Sequence, residues 1–116
     1  MARVSGVRMT GPWLPLDSEH VEQLGGHMGV YELAAADGKV VRIGFAGGRS
    51  VFGLRGELRR ALRADGDQAA ASFRFEITTA YLSRYRELLM VHAADHGAIP
   101  VGNTGAELQL GRLSPG

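Results

Sequence analysis

Between Met28 and Ile77 the spacing of apolar residues changes from a period of two to a helical period and back, and this constrains the fold more than any other feature. Gly29-Val30-Tyr31-Glu32-Leu33 reads as a strand, Asp37-Gly38 supplies turn chemistry, and the run from Lys39 to Phe45 reads as a second strand. The two together resemble a β-hairpin with a slightly long connection. Gly47-Gly48-Arg49-Ser50 ends the extended run, after which Val51, Leu54, Leu58, Ala61 and Leu62 recur at helical spacing until Asp65-Gly66-Asp67. Phe73, Phe75 and Ile77 alternate with Arg74 and Glu76, which predicts a third strand with one buried face. A second long helix is expected from a cap at Thr78 or Thr79 to about His96, with Gly97 in the left-handed position that closes it. Tyr81, Tyr85, Leu88, Leu89 and His92 make one face of that helix, and Met90, Val91 and Ala94 extend across the other. The expectation is a helix sandwiched between layers.

The flanks carry weaker patterns. Pro12 and Pro15 bracket Trp13 and Leu14 in a loop or packed arm, with Trp13 over a core edge. Asp17 or Ser18 can cap a short helix through Gln23 or Leu24, which Gly25-Gly26 stops. A short terminal strand is expected around Glu107 to Leu110. The chain thus divides into an N-terminal arm over 1–27, a central unit over 28–103 and a tail over 104–116, all packed as one domain. At 116 residues and 45% hydrophobic content the chain fits one domain with a modest core, and two independent folding units are not expected. The expected class is a small α/β domain, with a three-stranded, mainly antiparallel sheet flanked by helices. Without a single cysteine, neither disulfides nor thiolate zinc can hold it together, and the cytoplasm is the expected compartment. No apolar run approaches the roughly 20 residues that span a bilayer, so no membrane role is expected.

A net charge of +1 says little about partners, but its distribution says more. Arg42, Arg49, Arg55, Arg59, Arg60 and Arg63 fall in one window opposed there only by Glu57. Arg55, Arg59 and Arg63 repeat every four residues, so they form one stripe beside Leu54, Leu58 and Leu62. Such a stripe is either the solvated side of an amphipathic helix or a surface that grips phosphate.

The hairpin, helix, strand, helix order carries a set of residues that resembles the GIY-YIG nuclease superfamily. Gly29-Val30-Tyr31 looks like the first signature tripeptide, and Arg42-Ile43-Gly44 stands where the second is expected, so the chain reads as a divergent member. Arg55 falls where the family carries its catalytic arginine, Glu87 matches the metal-binding glutamate of the later helix, and Asn103 lies where a family asparagine follows that helix. The resemblance spans Met28 to Asn103. It implies a divalent-metal-dependent endonuclease acting on DNA, with Tyr31 activating water, Arg55 stabilising the scissile phosphate and Glu87 holding Mg2+ or Mn2+. Arg42, Arg49, Arg59, Arg63 and Asn103 would contact nucleic acid, and target choice would come from a protein partner or from the N-terminal arm. The chemistry suits these residue types, because phosphodiester hydrolysis builds negative charge that a fixed guanidinium and a metal stabilise more in the transition state than in the ground state.

Other readings stay open. Arg42 replaces the tyrosine of the second tripeptide, and Arg59 stands one turn after the catalytic position, where the family often has histidine or tyrosine. A guanidinium does not deprotonate near neutral pH, so these substitutions point equally to a non-catalytic module that binds nucleic acid or protein. A third possibility is a protein whose ligand is not nucleic acid. Tyr31 reads also as a half-buried strand residue, Glu87 as one half of an ion pair with Arg55 or Arg84, and Asn103 as a turn residue after Pro100. His92 and His96, one helical turn apart, invite zinc but lack a third ligand. A packed His92 and a His96 meeting the helix dipole are the better reading. The Gly47-Gly48-Arg49-Ser50 turn could offer N–H groups to phosphate, without the lysine of a Walker loop.

Overall fold

A computed structural model describes residues 8–63 and 70–103. Four strands and three helices follow in the order β1 (Leu14–Pro15), α1 (Ser18–Glu22), β2 (Gly29–Ala35), β3 (Val40–Ala46), α2 (Gly53–Arg63), β4 (Ala70–Ile77) and α3 (Tyr81–His96), with a 3-10 turn at Val101–Asn103. The terminal strand expected near Glu107 lies outside the described residues.

The sheet order is β1-β4-β2-β3, antiparallel throughout. The expectation of three strands is corrected to four. Leu14 and Pro15, expected as a loop or arm, pair with Phe73 and Ser72 and make a two-residue edge strand. Proline at the outer strand costs no ladder hydrogen bond, which is why a Pro-flanked segment can serve there. Trp13, next to it, lies under the Arg74 guanidinium at 4.4 Å from the ring centroid.

β2 is the central strand, and its register sorts every neighbour onto one face or the other. Tyr31 stands opposite Gly44 on one side and Phe75 on the other, and Leu33 opposite Arg42 and Phe73. Because side chains alternate, Tyr31, Leu33, Phe73 and Phe75 join Leu54, Leu58, Val21 and Leu24 beneath α1 and α2. Val30, Ile43 and Phe45 join Tyr81, Tyr85, Leu88 and Leu89 beneath α3. The chain therefore builds two small cores, one per face of a single sheet.

Local signals place the helices. Asp17 caps α1 through its carboxylate, which accepts from the His20 N–H at 2.9 Å. Gly97, at φ 84°, closes α3 as expected. At the other end of α3 the N-cap is Ala80, without a side-chain cap; Thr78 instead accepts from the Ala80 N–H at 3.0 Å. The sandwiched placement of α3 is also corrected. Leu82, Met90 and Ala94 face solvent, so α3 lies on the outside of the sheet with one buried stripe of Leu88 and Leu89.

The closest approach in the hairpin is between Tyr31 and Gly44. A Cβ at Gly44 would overlap the Tyr31 ring, so the phenol occupies space that only glycine leaves free across the ladder. Gly44→Ala should therefore cost about 1–3 kcal/mol in chemical denaturation, as overpacking does. In a Tyr31→Ala background the same change should cost much less. Additive costs in the double mutant would show that the two positions do not share this space.

Candidate functional site

The two faces of the sheet present two different arrangements of charge. On the α2 face, the Tyr31 phenol is 3% exposed. Burial pushes its pKa above the ordinary value; the charge of Arg42 pulls it down and that of Glu57 pushes it up, with smaller lowering effects from a hydrogen bond with Arg42 and the charge of Arg60. The phenol is thus protonated near neutral pH and poorly placed to accept a proton. Glu57 is the acid that sequence reasoning missed beside Tyr31. Its only signal was position, two residues beyond Arg55 on a turn that the helical period carries toward the sheet.

The arginine window opens onto this same side. Arg42, Arg49, Arg60 and Arg63 are exposed, and Arg55 is half-buried with its Nε lacking a hydrogen-bond partner. A buried donor left without a partner is uncommon and costly. Here it belongs to a guanidinium whose charge acts on Glu22. Arg59 differs from the others in its stripe. Its fork is held by the Glu22 carboxylate at 2.5 and 2.6 Å, tying α2 to the end of α1. Arg60 meets Glu57 at 3.5 Å, a long and exposed pairing.

Glu87 lies on the other face. Its carboxylate accepts from Arg84 at 2.6 Å, and Arg84 also grips both oxygens of Glu76 at 2.7 and 2.8 Å. Hydrogen bonding to Glu76, ahead of that to Glu87, raises the Arg84 pKa still further. Glu76 stands opposite Val30, hence on the α3 side, whereas Tyr31 points to the α2 side. Of the predicted catalytic residues, Tyr31 and Arg55 share a face and Glu87 does not. Two carboxylates, Glu76 and Glu87, thus converge on the one guanidinium of Arg84, and no group of three His, Asp or Glu side chains converges for a metal among the described residues.

Asn103 is buried, and its amide spans the free edge of β3. Its Oδ1 accepts from the Ile43 N–H at 2.8 Å and its Nδ2 donates to the Ile43 carbonyl at 2.7 Å. A side chain thus completes the ladder where no strand continues it, and seals the second-tripeptide segment. The amides of the Gly47-Gly48 turn are likewise in use, by Ser50 Oγ at 2.9 Å and the Tyr81 hydroxyl at 3.2 Å.

The α3 face also carries a shallow cleft of about 140 Å3 lined by Arg8, Glu32, Arg74, His92, Asp95 and His96. Its charges are matched in pairs, Arg74 with Glu32 at 2.8 Å and Arg8 with Asp95. His92 Nδ1 meets the Ala98 carbonyl at 3.1 Å, packing as expected at the end of α3.

A family model described as a domain of unknown function, DUF7508, matches residues 7–95. No curated protein and no solved structure matches the chain. No helix among the described residues is long and apolar enough to cross a membrane.

Two measurements follow. Asn103→Ala strands the Ile43 N–H and C=O in a buried site and should cost about 2–4 kcal/mol of stability, with nucleic-acid affinity unchanged while folded. An unchanged stability with lost affinity would make Asn103 a contact residue. Burial holds the His92 imidazole below its ordinary pKa, ahead of the Ala98 contact that raises it. A depressed folded pKa contributes stability above the unfolded value of about 6.5 that is lost as pH falls through the folded one. The stability difference between wild type and His92→Gln should shrink as pH falls from 7 to 5, and a difference constant over that range would exclude the effect.

Proposed function

We propose that this chain, which belongs to the DUF7508 family, is a GIY-YIG-like module that binds the DNA backbone through its α2 face without cleaving it. The observation that carries this reading is the division of the predicted site by the sheet. The arginines gather on the side of Tyr31, while Glu87 is held by Arg84 on the opposite side. Metal-assisted hydrolysis needs its carboxylate, nucleophile activator and phosphate ligand within reach of one phosphorus. Binding needs only exposed cations on one surface, and Arg42, Arg49, Arg60 and Arg63 supply them.

The GIY-YIG resemblance is supported by more than its motifs. β2 and β3 form the hairpin that the tripeptides require, and Gly44 leaves room for the Tyr31 ring. Burial of Tyr31 under Arg42 supports a structural role for the first tripeptide and a phosphate-directed cation at the start of the second. The endonuclease is the second reading. The partnerless Arg55 Nε favours it, since a transition-state ligand is a group the fold leaves free.

Binding to a short labelled duplex should weaken steeply with salt, each neutralised phosphate contributing about 0.9 to the slope of log K against log salt. Arg49→Gln with Arg63→Gln should lower that slope by about 2, whereas Arg59→Gln should act mainly on stability, through Glu22. Plasmid should remain intact with Mg2+ or Mn2+. Glu87→Gln should change stability by less than about 1 kcal/mol, because that carboxylate is 42% exposed. Nicking by wild type that Glu87→Gln abolishes would replace this reading with the endonuclease. Salt-independent binding, or none at low salt, would remove the phosphate surface.

A further inference from the structure

The turn that leads into α2 contains a residue that stability alone does not explain. Phe52 has φ 66°, the sole positive φ at a non-glycine position among the described residues. For a bulky side chain this left-handed conformation is a genuine outlier, and glycine or asparagine would adopt it at lower cost. The following residue is Gly53, at φ 59°, pressed against the backbone of Gly26 and His27, so the turn has no freedom to relax. Leu54 N–H donates to the His27 carbonyl at 2.9 Å, and Gly56 N–H to the Phe52 carbonyl at 3.2 Å, which fixes the turn from both ends.

Strain of this kind is ordinarily offset by burying the ring. Here it is not. Phe52 is 61% exposed and its neighbour Val51 70%. The ring contact recorded for Phe52 is with Arg59, whose guanidinium lies 5.9 Å from the centroid and is itself held by Glu22. The fold thus spends backbone strain to hold an aromatic ring in solvent, in the turn that runs from exposed Arg49 into the arginine helix. Strained, solvent-facing residues with no structural return are characteristic of binding sites.

We propose that Phe52 is a stacking platform for an unpaired nucleobase, making single-stranded nucleic acid the preferred ligand of this surface. The inference rests on the phosphate-binding reading above and adds to it the strand state of the ligand. Arginines alone do not separate duplex from single strand, because both present phosphates. An exposed aromatic ring does, since a base must leave its stack to lie on it. A flat, π-faced ligand carrying negative charge is complementary to an exposed phenyl ring on a surface with several exposed arginines; an acidic protein segment would satisfy the arginines and leave the ring unused. Val51 extends the apolar ledge beside it.

The test uses the full chain with labelled oligonucleotides: single-stranded DNA, single-stranded RNA of the same sequence, and a blunt DNA duplex. Wild type should prefer a single strand, and the two single-stranded arms show whether the 2′-hydroxyl matters. Phe52→Asn relieves the left-handed strain and removes the ring. It should melt at the same temperature or higher, bind single strands about 5- to 100-fold more weakly and bind duplex unchanged. Phe52→Trp, in a Trp13→Phe background, should keep single-strand affinity, and its fluorescence should be quenched on binding. Equal losses for duplex and single strand, no loss in Phe52→Asn, or an unquenched Phe52→Trp would overturn the stacking role and leave phosphate binding intact. A lower melting temperature in Phe52→Asn would assign the ring to the fold and overturn it too. Failure of wild type to bind any of the three nucleic acids at low salt would remove the underlying reading along with this one.

Discussion

The rest of the structure depends on the register of β2 between β3 and β4. With Tyr31 opposite Gly44 and Phe75, every side chain in the sheet is assigned to a face by parity. Tyr31, Leu33, Arg42, Phe73 and Phe75 turn toward α2, while Val30, Glu32, Ile43, Arg74 and Glu76 turn toward α3. A slip of β2 by one residue would turn Tyr31 and Leu33 toward α3 and Val30 and Glu32 toward α2, so each core would lose the side chains that β2 gives it. Gly44 pins the register, because it alone leaves room for the Tyr31 ring. Asn103 secures it from the open edge by pairing with both backbone groups of Ile43.

That parity also organises the electrostatics. On the α3 face Glu32 pairs with Arg74, Glu76 and Glu87 with Arg84, and Asp95 with Arg8. Arg84 bridges strand β4 and helix α3 through Glu76 and Glu87, which ties the helix to the sheet where its buried stripe is narrow. The α2 face satisfies less of its charge. Arg59 is taken by Glu22, but Arg42, Arg49 and Arg63 have no acid against them among the described ion pairs. An imbalance concentrated on one face of a chain whose net charge is only +1 is a local field, and it acts on what approaches that face.

Strain and unmet hydrogen bonding fall on the same side. The buried Nε of Arg55 and the left-handed Phe52 both belong to the entry of α2, whereas the α3 side is paired and relaxed. In a domain this small, departures from local consistency are tolerated only where neighbouring packing is firm. Leu54 and Leu58, both fully buried, anchor the helix that carries them.

Much of this was legible in the sequence. Apolar periods of two and of 3.6 marked β2, β3, α2, β4 and α3, Asp37-Gly38 marked the turn, and Asp17 and Gly97 marked helix ends, because each depends on neighbours a few residues away. The basic stripe was visible for the same reason. What the sequence left open was long-range. The pairing of Leu14-Pro15 with β4, the capture of Arg59 by Glu22 and the clamp of Asn103 on Ile43 join positions far apart in the chain, and no local pattern encodes them. The same limit governs the candidate site. Residue type and order brought Tyr31, Arg55 and Glu87 together on one list, but only the antiparallel pairing of three strands decides which face each one reaches. Alternation along a strand fixes relative parity, while the pairing that turns parity into a shared surface exists only in the folded sheet.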